Sequence, residues 1–496
     1  MSDGGDVSGP GEPTGRPPGP ARGGPPPPLA PDFVNGGVSF WLRDVGPPEP
    51  PRPPLPGSRT ADVCVVGAGF TGLWAAYYLK RARPGLRIVV LEREFAGFGA
   101  SGRNGGWVLG ELAGSRERYA ARHGRPAAIA LTRAMFATVD EVVAAAAAEG
   151  IDADIVKSGV LHVATNAAQL ARLRAMVADD ARWGWGPGDV TLLDAAEAGA
   201  RLHVAGAGGM AWSPHCARVH PGKLARGLAA AVGRLGVEIF EGTPVTSIRP
   251  RSPGGPAAAT TPYGTVTAEY VIRATEGFTA GIPGHRRDWL PMNSSLIVTE
   301  PLPPRTWARI GWAGAEPLGD MAHYYMYAQR TADGRIALGG RGRPYRFGSR
   351  WDATGRTPPA TVAELWRTLA RMFPDAASAR VAHAWSGVLG VPRDWCATVV
   401  VDHLTGIGYA GGYTGHGVAT ANLAGRTLRD LVLRHDTELT ALPWVGWRVR
   451  RWEPEPLRWL GVHLLYRLYR LADAREAGGL PRTSAVARVA DLISGR

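Results

Sequence analysis

Three glycines, Gly67, Gly69 and Gly72, stand in the spacing GxGxxG between an apolar run and a segment with helical periodicity. In such a turn the first glycine permits the tight bend, and the second lets the backbone approach a pyrophosphate. The third lets the helix pack closely on the strand. The helix N-terminus then offers N–H groups and a positive dipole end to the phosphates. The turn therefore predicts a dinucleotide site, which also includes Phe70 and Thr71.

An acidic residue follows at the position that such a site requires. Glu92 comes directly after the apolar run at residues 87–91, and Arg93 stands beside it. A carboxylate at the end of the second strand accepts hydrogen bonds from a ribose hydroxyl. Residues 62–66, 73–83 and 87–91 thus predict a strand, a helix and a strand that together form a βαβ unit. This unit by itself does not distinguish NAD from FAD.

Two further segments are rich in glycine. Residues 97–106 read GFGASGRNGG, with one hydroxyl and one guanidinium, and residues 411–419 read GGYTGHGVA before a long predicted helix at 416–433. Backbone N–H groups in such loops reach a pyrophosphate. A helix N-terminus stabilises negative charge beside it.

Both segments resemble the D-amino-acid oxidase and glycine/sarcosine oxidase superfamily of FAD-dependent flavoproteins, over residues 60–435. Within it, the GRNGG and GHG segments look closest to the gamma-glutamylputrescine oxidoreductase branch. The resemblance implies FAD, with the flavin's pyrimidine end at the N-terminus of the helix after His416, where the helix dipole stabilises negative charge on the reduced ring. Val245 matches the position where the family's backbone contacts the adenine. The implied flavin-binding residues are Ser101, Gly102, Arg103, Asn104, Gly105, Gly106, Gly412, Gly415, His416, Gly417 and Val418.

The chain departs from the sarcosine oxidase branch at the residue that attaches the flavin. That branch uses a cysteine upstream of the GHG segment, where this chain has the region around Trp385 and Ser386. Cys396 is too close in sequence to Gly412 to replace it. The resemblance therefore implies non-covalent FAD.

Two lysines of the same branch are also missing. Ala419 occupies the place of the lysine that binds a substrate carboxylate, and Ala337 that of the lysine linked to reaction with oxygen. The first replacement disfavours a small amino acid such as sarcosine. The second leaves open whether oxygen or another electron acceptor reoxidises the flavin.

Aromatic residues supply the candidates on the substrate side. Residues 323–327, HYYMY, predict a substrate-domain strand whose alternate side chains face the flavin cavity. Tyr325 and Tyr327 are catalytic candidates together with His416. They form an aromatic cage for an amine through cation–π contact, or they are core residues of the sheet. Arg103 either holds an anionic group of the substrate or braces the flavin loop.

The interleaved helix and strand patterns predict an α/β (α+β) fold with a Rossmann-like FAD-binding domain and a discontinuous, mixed-sheet substrate domain. Residues 1–58 are a Pro/Gly-rich tail, predicted to be disordered up to Pro31, with a short docking patch at 38–42. The FAD-binding domain is predicted at 59–153, 206–285 and 381–440, the substrate domain at 154–205 and 286–380, and a helical extension at 441–496.

Composition excludes several other classes of protein. The chain of 496 residues has a formal net charge of +13, but its arginines are spread along the sequence and form no stripe for nucleic acid. Its 3 cysteines show neither disulfide nor metal-site spacing. No apolar run suits a signal peptide or a membrane span, so we expect a cytoplasmic protein. The Trp- and Arg-rich helix within 444–471 is expected to pack on the protein body rather than on a membrane.

These observations and the resemblance predict an FAD-dependent oxidoreductase. It oxidises a primary or secondary amine, or an amino acid, to an imine by hydride transfer to flavin N5, and the imine hydrolyses to a carbonyl compound. Two alternatives stay open. A dehydrogenase for a D-amino or hydroxy acid requires an arginine pair in the cavity. The second alternative is a non-catalytic flavin-binding or redox-sensing protein, or a membrane-peripheral module that uses the Trp- and Arg-rich tail. A closed cavity without a route for substrate would favour it.

Overall fold

The computed structural model describes residues 26–47, 50–340, 342 and 344–495, and the mixed α/β fold class is as predicted. The predicted disorder of residues 1–25 lies outside this range. Within it the strands are β1 (Leu29–Asn35), β2 (Arg59–Val66), β3 (Ile88–Leu91), β4 (Trp107–Leu109), β5 (Val160–Ala164), β6 (Thr191–Leu193), β7 (Gly209–Ser213), β8 (Cys216–Arg218), β9 (Glu238–Phe240), β10 (Ser247–Arg249), β11 (Ala257–Thr261), β12 (Gly264–Arg273), β13 (Leu290–Thr299), β14 (Leu318–Asp320), β15 (Tyr327–Arg330), β16 (Ile336–Gly340), β17 (Val381–Val391), β18 (Thr398–Asp402) and β19 (Ile407–Gly411).

The α-helices of the same residues alternate with these strands along most of the chain. They are α1 (Phe40–Asp44), α2 (Phe70–Ala82), α3 (Arg116–His123), α4 (Arg125–Ala148), α5 (Ala167–Trp183), α6 (Ala195–Arg201), α7 (Pro221–Arg234), α8 (Pro304–Ile310), α9 (Pro359–Met372), α10 (Gly417–Leu433), α11 (Leu457–Ala477) and α12 (Ala485–Ser494). None of the described helices is both long enough and apolar enough to cross a membrane.

One sheet contains the predicted βαβ unit, in the order β10-β11-β12-β2-β3-β9, with β19 beside β12 and β18 beside β19. Strands β12, β2, β3 and β9 run parallel, and Val66 of β2 lies opposite Leu91 of β3 and Arg273 of β12. Helices α2, α4, α7 and α10 share an apolar core with the inward residues of this sheet. The carboxyl ends of its parallel strands meet at one edge, where an open α/β sheet binds its ligand.

The second sheet is mixed and has the order β1-β17-β13-β16-β15-β14-β5-β7-β6. Its longest pairing is antiparallel, between β13 and β17, from Leu290 opposite Val391 to Thr299 opposite Val381. Helices α8 and α9 pack on one face of this second sheet, in a separate apolar core that includes Trp307. The other face turns towards the edge of the first sheet, and the functional cavity lies between the two.

The structure corrects the predicted disorder up to Pro31. Residues 29–35 form β1, which runs parallel to β17 and pairs Leu29 with Val381 and Asn35 with Ala384. An edge strand offers unpaired N–H and C=O groups to any extended segment, whatever its composition, so the Pro/Gly content misled the prediction. The patch at 38–42 leads into α1, whose Trp41 side chain is buried.

The predicted domain boundaries differ from the sheets at two places. Strands β7 and β17 fall in segments predicted for the FAD-binding domain, yet both belong to the second sheet. Within each of these two segments the chain leaves the second sheet and enters the first. Pairing partners that are distant in sequence decide the sheet to which a strand belongs, and local periodicity does not carry that information.

Candidate active site

The glycine turn between β2 and α2 has the close backbone contacts that the spacing predicts. Gly67 has φ +104°, and a Cβ there would lie 2.6 Å from the Ala274 carbonyl oxygen. A Cβ at Gly72 would lie 1.9 Å from the carbonyl oxygen of Gly67, so only glycine lets α2 approach β2 this closely. Gly69 is the N-cap of α2 and faces only Ser101 Oγ. The start of α2 is thereby exposed to an anionic ligand.

Glu92 stands at the end of β3, and its carboxylate turns back to the glycine turn. One oxygen accepts a hydrogen bond from the Ala68 N–H at 2.7 Å, and the other accepts one from the Glu94 N–H at 2.9 Å. Burial nevertheless raises the pKa of the Glu92 carboxyl to about 7. Arg93 is exposed and forms an ion pair with Glu94 at 3.4 Å. The position of Glu92 suits a ribose hydroxyl.

The loop at residues 101–106 is fixed by hydrogen bonds to two other parts of the chain. The Ser101 hydroxyl accepts from the Phe70 N–H at 2.8 Å and so joins the loop to α2. Asn104 donates to the Ser101 carbonyl at 2.7 Å and accepts from the Gly106 N–H at 2.7 Å. The Trp41 indole donates to the Asn104 carbonyl at 2.9 Å. Helix α1 therefore supports the predicted flavin loop directly.

Arg103 is 5% exposed, and backbone carbonyls surround its guanidinium. It donates hydrogen bonds to Phe98 O at 2.8 Å, Gly37 O at 3.0 Å and Ser386 O at 3.2 Å. Burial lowers the pKa of the guanidinium to about 10. Of the two predicted roles, these contacts favour bracing the flavin loop over holding an anionic group of the substrate.

Glu276, which the sequence did not single out, ties the segment before α10 to the end of β12. One of its oxygens accepts from the N–H groups of Gly412 at 3.0 Å and Tyr413 at 3.1 Å, and the other accepts from the Gly390 N–H. The Tyr413 hydroxyl lies 2.9 Å from Thr71 Oγ1 in α2. The N-termini of α2 and α10 are therefore held in one arrangement. Burial raises the pKa of the Glu276 carboxyl, against the effect of the three N–H donors.

His416 is the N-cap residue of α10, a helix of 17 residues. Its neighbours Gly415, Gly417 and Val418 line the same cavity as the glycine turn. The positive end of the α10 dipole lies at this cavity wall and stabilises negative charge there. This is the arrangement that the GHG resemblance implies.

All these segments line one cavity of about 930 Å³. The predicted site residues in its wall are Gly67, Gly69, Phe70, Thr71, Glu92, Arg93, Ser101, Arg103, Asn104, Gly105, Val245, Tyr325, Tyr327, Gly415, His416, Gly417 and Val418. The predicted residues Gly72, Gly102, Gly106 and Gly412 do not line it. They serve in close packing or, at Gly412, donate to Glu276.

The tyrosine-rich segment is partly a turn and not the predicted strand. A turn at 323–324 precedes β15, which begins at Tyr327. The turn forms because Asp473 of α11 accepts the Tyr324 N–H at 2.8 Å. Tyr325 and Tyr327 both line the cavity, whereas the Tyr324 ring packs against side chains of α11.

The rings at this end of the cavity lie beside polar groups. Tyr327 meets Trp107 edge-on at a centroid distance of 6.2 Å, and its hydroxyl lies 2.8 Å from Ser294 Oγ. Trp107 belongs to β4 and also lines the cavity. Aromatic faces of this kind attract a cationic amine.

A second missed residue, Glu111, lies between two imidazoles in the cavity. One of its carboxylate oxygens is 3.6 Å from His162 Nε2, and the other is 3.7 Å from His416 Nδ1. His162 comes from β5 of the second sheet, whereas His416 caps α10. The available sequence signal was an acid two residues after the strand Trp107–Leu109 that follows the flavin loop.

The departures from the sarcosine oxidase branch have clear positions in the structure. Cys396 is buried outside the cavity wall, and burial raises the pKa of its thiol to about 12. Ala419 and Ala337, at the two lysine positions, are both buried. Cys396 is thus not one of the residues of the cavity wall, and neither of the two lysine positions has a cationic side chain.

A dinucleotide-type sheet, a mixed second sheet and one cavity between them define an oxidoreductase of the two-domain flavoprotein type. The model of the family described as FAD dependent oxidoreductase matches residues 62–431, and the chain belongs to this family, as the resemblance implied.

Similar proteins agree with this assignment. The gamma-glutamylputrescine oxidoreductase of Escherichia coli (strain K12) is 32% identical over 387 residues, which cover 77% of this chain and 85% of that protein. The probable oxidoreductase OrdL of Rhizobium meliloti (strain 1021) is 30% identical over 415 residues, covering 81% and 90%. The structure of glycine oxidase from Geobacillus kaustophilus has a TM-score of 0.65 at 22% identity, covering 78% of this chain and 99% of that one. At that identity the structural likeness shows the fold alone.

Proposed function

We propose that this protein oxidises a primary or secondary amine to an imine, which hydrolyses to a carbonyl compound, with FAD held non-covalently. The observation that carries the proposal is the position of Glu111. It lies in the cavity that the predicted FAD segments line, within 4 Å of two imidazoles. The rings of Trp107, Tyr325 and Tyr327 line the same cavity. A carboxylate and aromatic faces together suit an amine.

The residues present fit FAD. The turn at Gly67 and Gly69 and the start of α2 suit the pyrophosphate, Glu92 suits the ribose, and the backbone at Val245 suits the adenine. The N-terminus of α10 suits the pyrimidine end of the flavin. When bound, FAD supplies the acceptor for the hydride that leaves the α-carbon of the amine.

The chain's own groups bind and deprotonate the amine in this proposal. An ammonium donates hydrogen bonds to Glu111, and one imidazole, that of His162 or of His416, takes up one proton, so that the neutral amine reacts. The rings of Trp107 and Tyr327 supply the aromatic surface of the cavity wall. The positive end of the α10 dipole stabilises the negative charge that develops in the cavity next to it.

An acid substrate fits the described residues less well. Besides Arg93 and Arg103, the arginines of the cavity wall are Arg116 and Arg118. Arg116 pairs with Asp180 at 2.6 Å, and Arg118 donates to a backbone carbonyl. These arginines are therefore already engaged within the described part of the chain. The alternative dehydrogenase for a D-amino or hydroxy acid would need two of them for the carboxylate.

The relatives support an amine but not one particular amine. The name of the Escherichia coli relative assigns gamma-glutamylputrescine to that protein. Because the two chains match over most of their length, we extend the amine class, but not that particular amine, to this chain as part of the proposal. Oxygen and other electron acceptors both remain candidates, because Ala337 stands where the branch has its oxygen-linked lysine.

The proposal is tested with the visible spectrum of the purified protein under anaerobic conditions. We expect flavin bands that bleach with a monoamine or a diamine and not with a D-hydroxy acid, and flavin that acid precipitation releases into the supernatant. Readmitted oxygen then distinguishes an oxidase from a dehydrogenase by the rate at which the bands return. Bleaching by acids alone supports the dehydrogenase alternative. A flavin that only dithionite reduces supports the non-catalytic one, and a protein that takes up no FAD overturns the proposal.

A further inference from the structure

Helices α11 and α12 follow the residues that match the family, and they carry an apolar surface of their own. The inner face of α11 packs on the second sheet, as expected from sequence, through buried residues such as Val462, Tyr469 and Ala472. The Tyr469 hydroxyl donates to Asp491 of α12 at 2.9 Å and joins the two helices. One face of this pair is therefore part of the protein core.

The outer face of α11 keeps four leucines in contact with solvent. Leu457, Leu460, Leu464 and Leu471 are exposed by 62%, 52%, 52% and 50%. A helix turns by about 100° per residue, which places these side chains within an arc of about 60°. On α12, the exposed apolar residues are Val489, Leu492 and Ile493. Leucine recurs here with the period of a helix face, unlike the single exposed apolar residues that are normal on a surface.

The charges of α11 are divided between its two faces. Asp473 accepts the N–H groups of His323 and Tyr324, and the buried Glu476 forms an ion pair with Arg172 at 2.7 Å. Both acids therefore serve the inner face. Of the four arginines of α11, Arg458 is buried in an ion pair with Glu455, and Arg470 pairs with Glu364. Arg467 and Arg475 are exposed on the outer face and form no ion pair with any residue that the structure describes. The outer face thus combines leucine with positive charge and has no acid.

We propose that the outer face of α11 binds the surface of an anionic lipid bilayer. Leucine side chains enter the boundary between headgroups and acyl chains, and arginines pair with lipid phosphates. A second copy of the chain fits less well. A two-fold interface through this face would bring Arg467 and Arg475 of both copies together in an apolar contact without a carboxylate.

Vesicle flotation with the full FAD-loaded protein tests the proposal. We expect binding to phosphatidylglycerol/phosphatidylcholine vesicles, weaker binding at high salt, and none to phosphatidylcholine alone. Leu460→Gln/Leu464→Gln and Arg467→Gln/Arg475→Gln should each reduce the bound fraction by about tenfold or more. Because these side chains are exposed, the variants should keep their flavin spectra and melting temperatures.

Matched controls distinguish a surface effect from a general one. Leu404 is 86% exposed in the turn between β18 and β19, so Leu404→Gln should leave vesicle binding unchanged. Arg174→Gln/Arg305→Gln removes the same charge from exposed sites elsewhere and should have a much smaller effect. Wild-type protein that does not float with anionic vesicles overturns the proposal. So does a dimer, seen by sedimentation velocity, that Leu460→Gln/Leu464→Gln dissociates.

Discussion

The carboxylate of Glu92 accepts the N–H of Ala68 at 2.7 Å, across the turn that joins β2 to α2. The end of β3 is thus hydrogen-bonded to the glycine turn by the protein's own groups. The arrangement has an energetic cost, because burial raises the pKa of this carboxyl from its ordinary 4.5 to about 7. The Glu92 carboxylate is therefore less stable in its charged form here than it is in water.

This cost predicts a pH-dependent effect of Glu92→Gln on the apo-protein. The pKa is higher in the folded than in the unfolded state, so the ionised carboxylate destabilises the fold, increasingly as the pH rises from about 4.5 to about 7. The amide leaves one of the two N–H groups, of Ala68 or Glu94, without an acceptor at every pH, so the change with pH is what tests the argument. Between pH 5 and pH 8 the free energy of unfolding of the wild type should fall relative to that of the variant by on the order of 1–2 kcal/mol. Urea unfolding at both pH values measures it, and an equal difference at both would refute the argument.

Gly72→Ala should damage both stability and FAD binding. The new Cβ would meet the Gly67 carbonyl oxygen at 1.9 Å, so α2 must move away from β2. We expect a loss of about 2 kcal/mol or more in the free energy of unfolding, and a lower FAD content after purification. Gly85→Ala is the matched control, since a Cβ there meets nothing within 4 Å. Equal melting temperatures for the two variants would contradict the packing argument.

Glu276→Gln should loosen the segment before α10. The carboxylate accepts three N–H groups, from Gly390, Gly412 and Tyr413, whereas the amide has one acceptor oxygen and turns a donor towards the remaining N–H groups. An unsatisfied buried N–H costs about 1–3 kcal/mol. We expect FAD affinity to fall about tenfold or more and the flavin spectrum to shift.

The readout for Glu276 is a fluorescence titration of the apo-protein with FAD. Glu94→Gln, at an exposed acid that lines the cavity beside Glu92, is the comparison. If both variants bind FAD as tightly as the wild type, Glu276 does not position the α10 segment.

Local sequence patterns predicted the glycine turn, the strand end at Glu92 and the helix after His416, which line one cavity in the structure. The glycine spacing, Glu92 and the helix after His416 are each determined within a few residues, because a turn, a strand end and a helix cap are local structures. Their partners became visible only in the fold. Glu276 contacts residues 114 and 136 positions away, and no spacing rule connects such residues.

The substrate half depended on contacts of longer range. Glu111 became a candidate site residue only because His162, from another sheet, lies beside it. Residues 29–35 form β1 only because they pair with β17. The alternation expected over 323–327 failed because Asp473, about 150 residues further on, closes a turn there. A periodic pattern predicts a strand from the residues of that segment alone. It contains no information about a hydrogen-bond acceptor on a distant helix.

Glu111→Gln provides the most direct test of the proposed amine site. The substitution keeps the size of the side chain and removes the charge between His162 and His416. If Glu111 binds the ammonium, KM for the amine should rise by about tenfold or more, because a charge-assisted hydrogen bond contributes about 1.5–3 kcal/mol. FAD content and stability should change little, since the carboxylate is 44% exposed. Steady-state kinetics with the amine that bleaches the flavin measure the change.

Glu117→Gln separates a specific contact from a general effect of charge in the cavity. Glu117 lines the same cavity, but its carboxylate bonds to the Ser115 hydroxyl at 2.7 Å in the first turn of α3. Removing its charge should change KM by no more than about twofold, since exposed charges are screened over a Debye length of about 8 Å. Raised ionic strength should increase KM for the wild type more than for Glu111→Gln, which has already lost the attraction. Equal KM values for wild type and Glu111→Gln would show that the amine does not bind to this carboxylate. The tyrosines of the cavity would then bind it without Glu111.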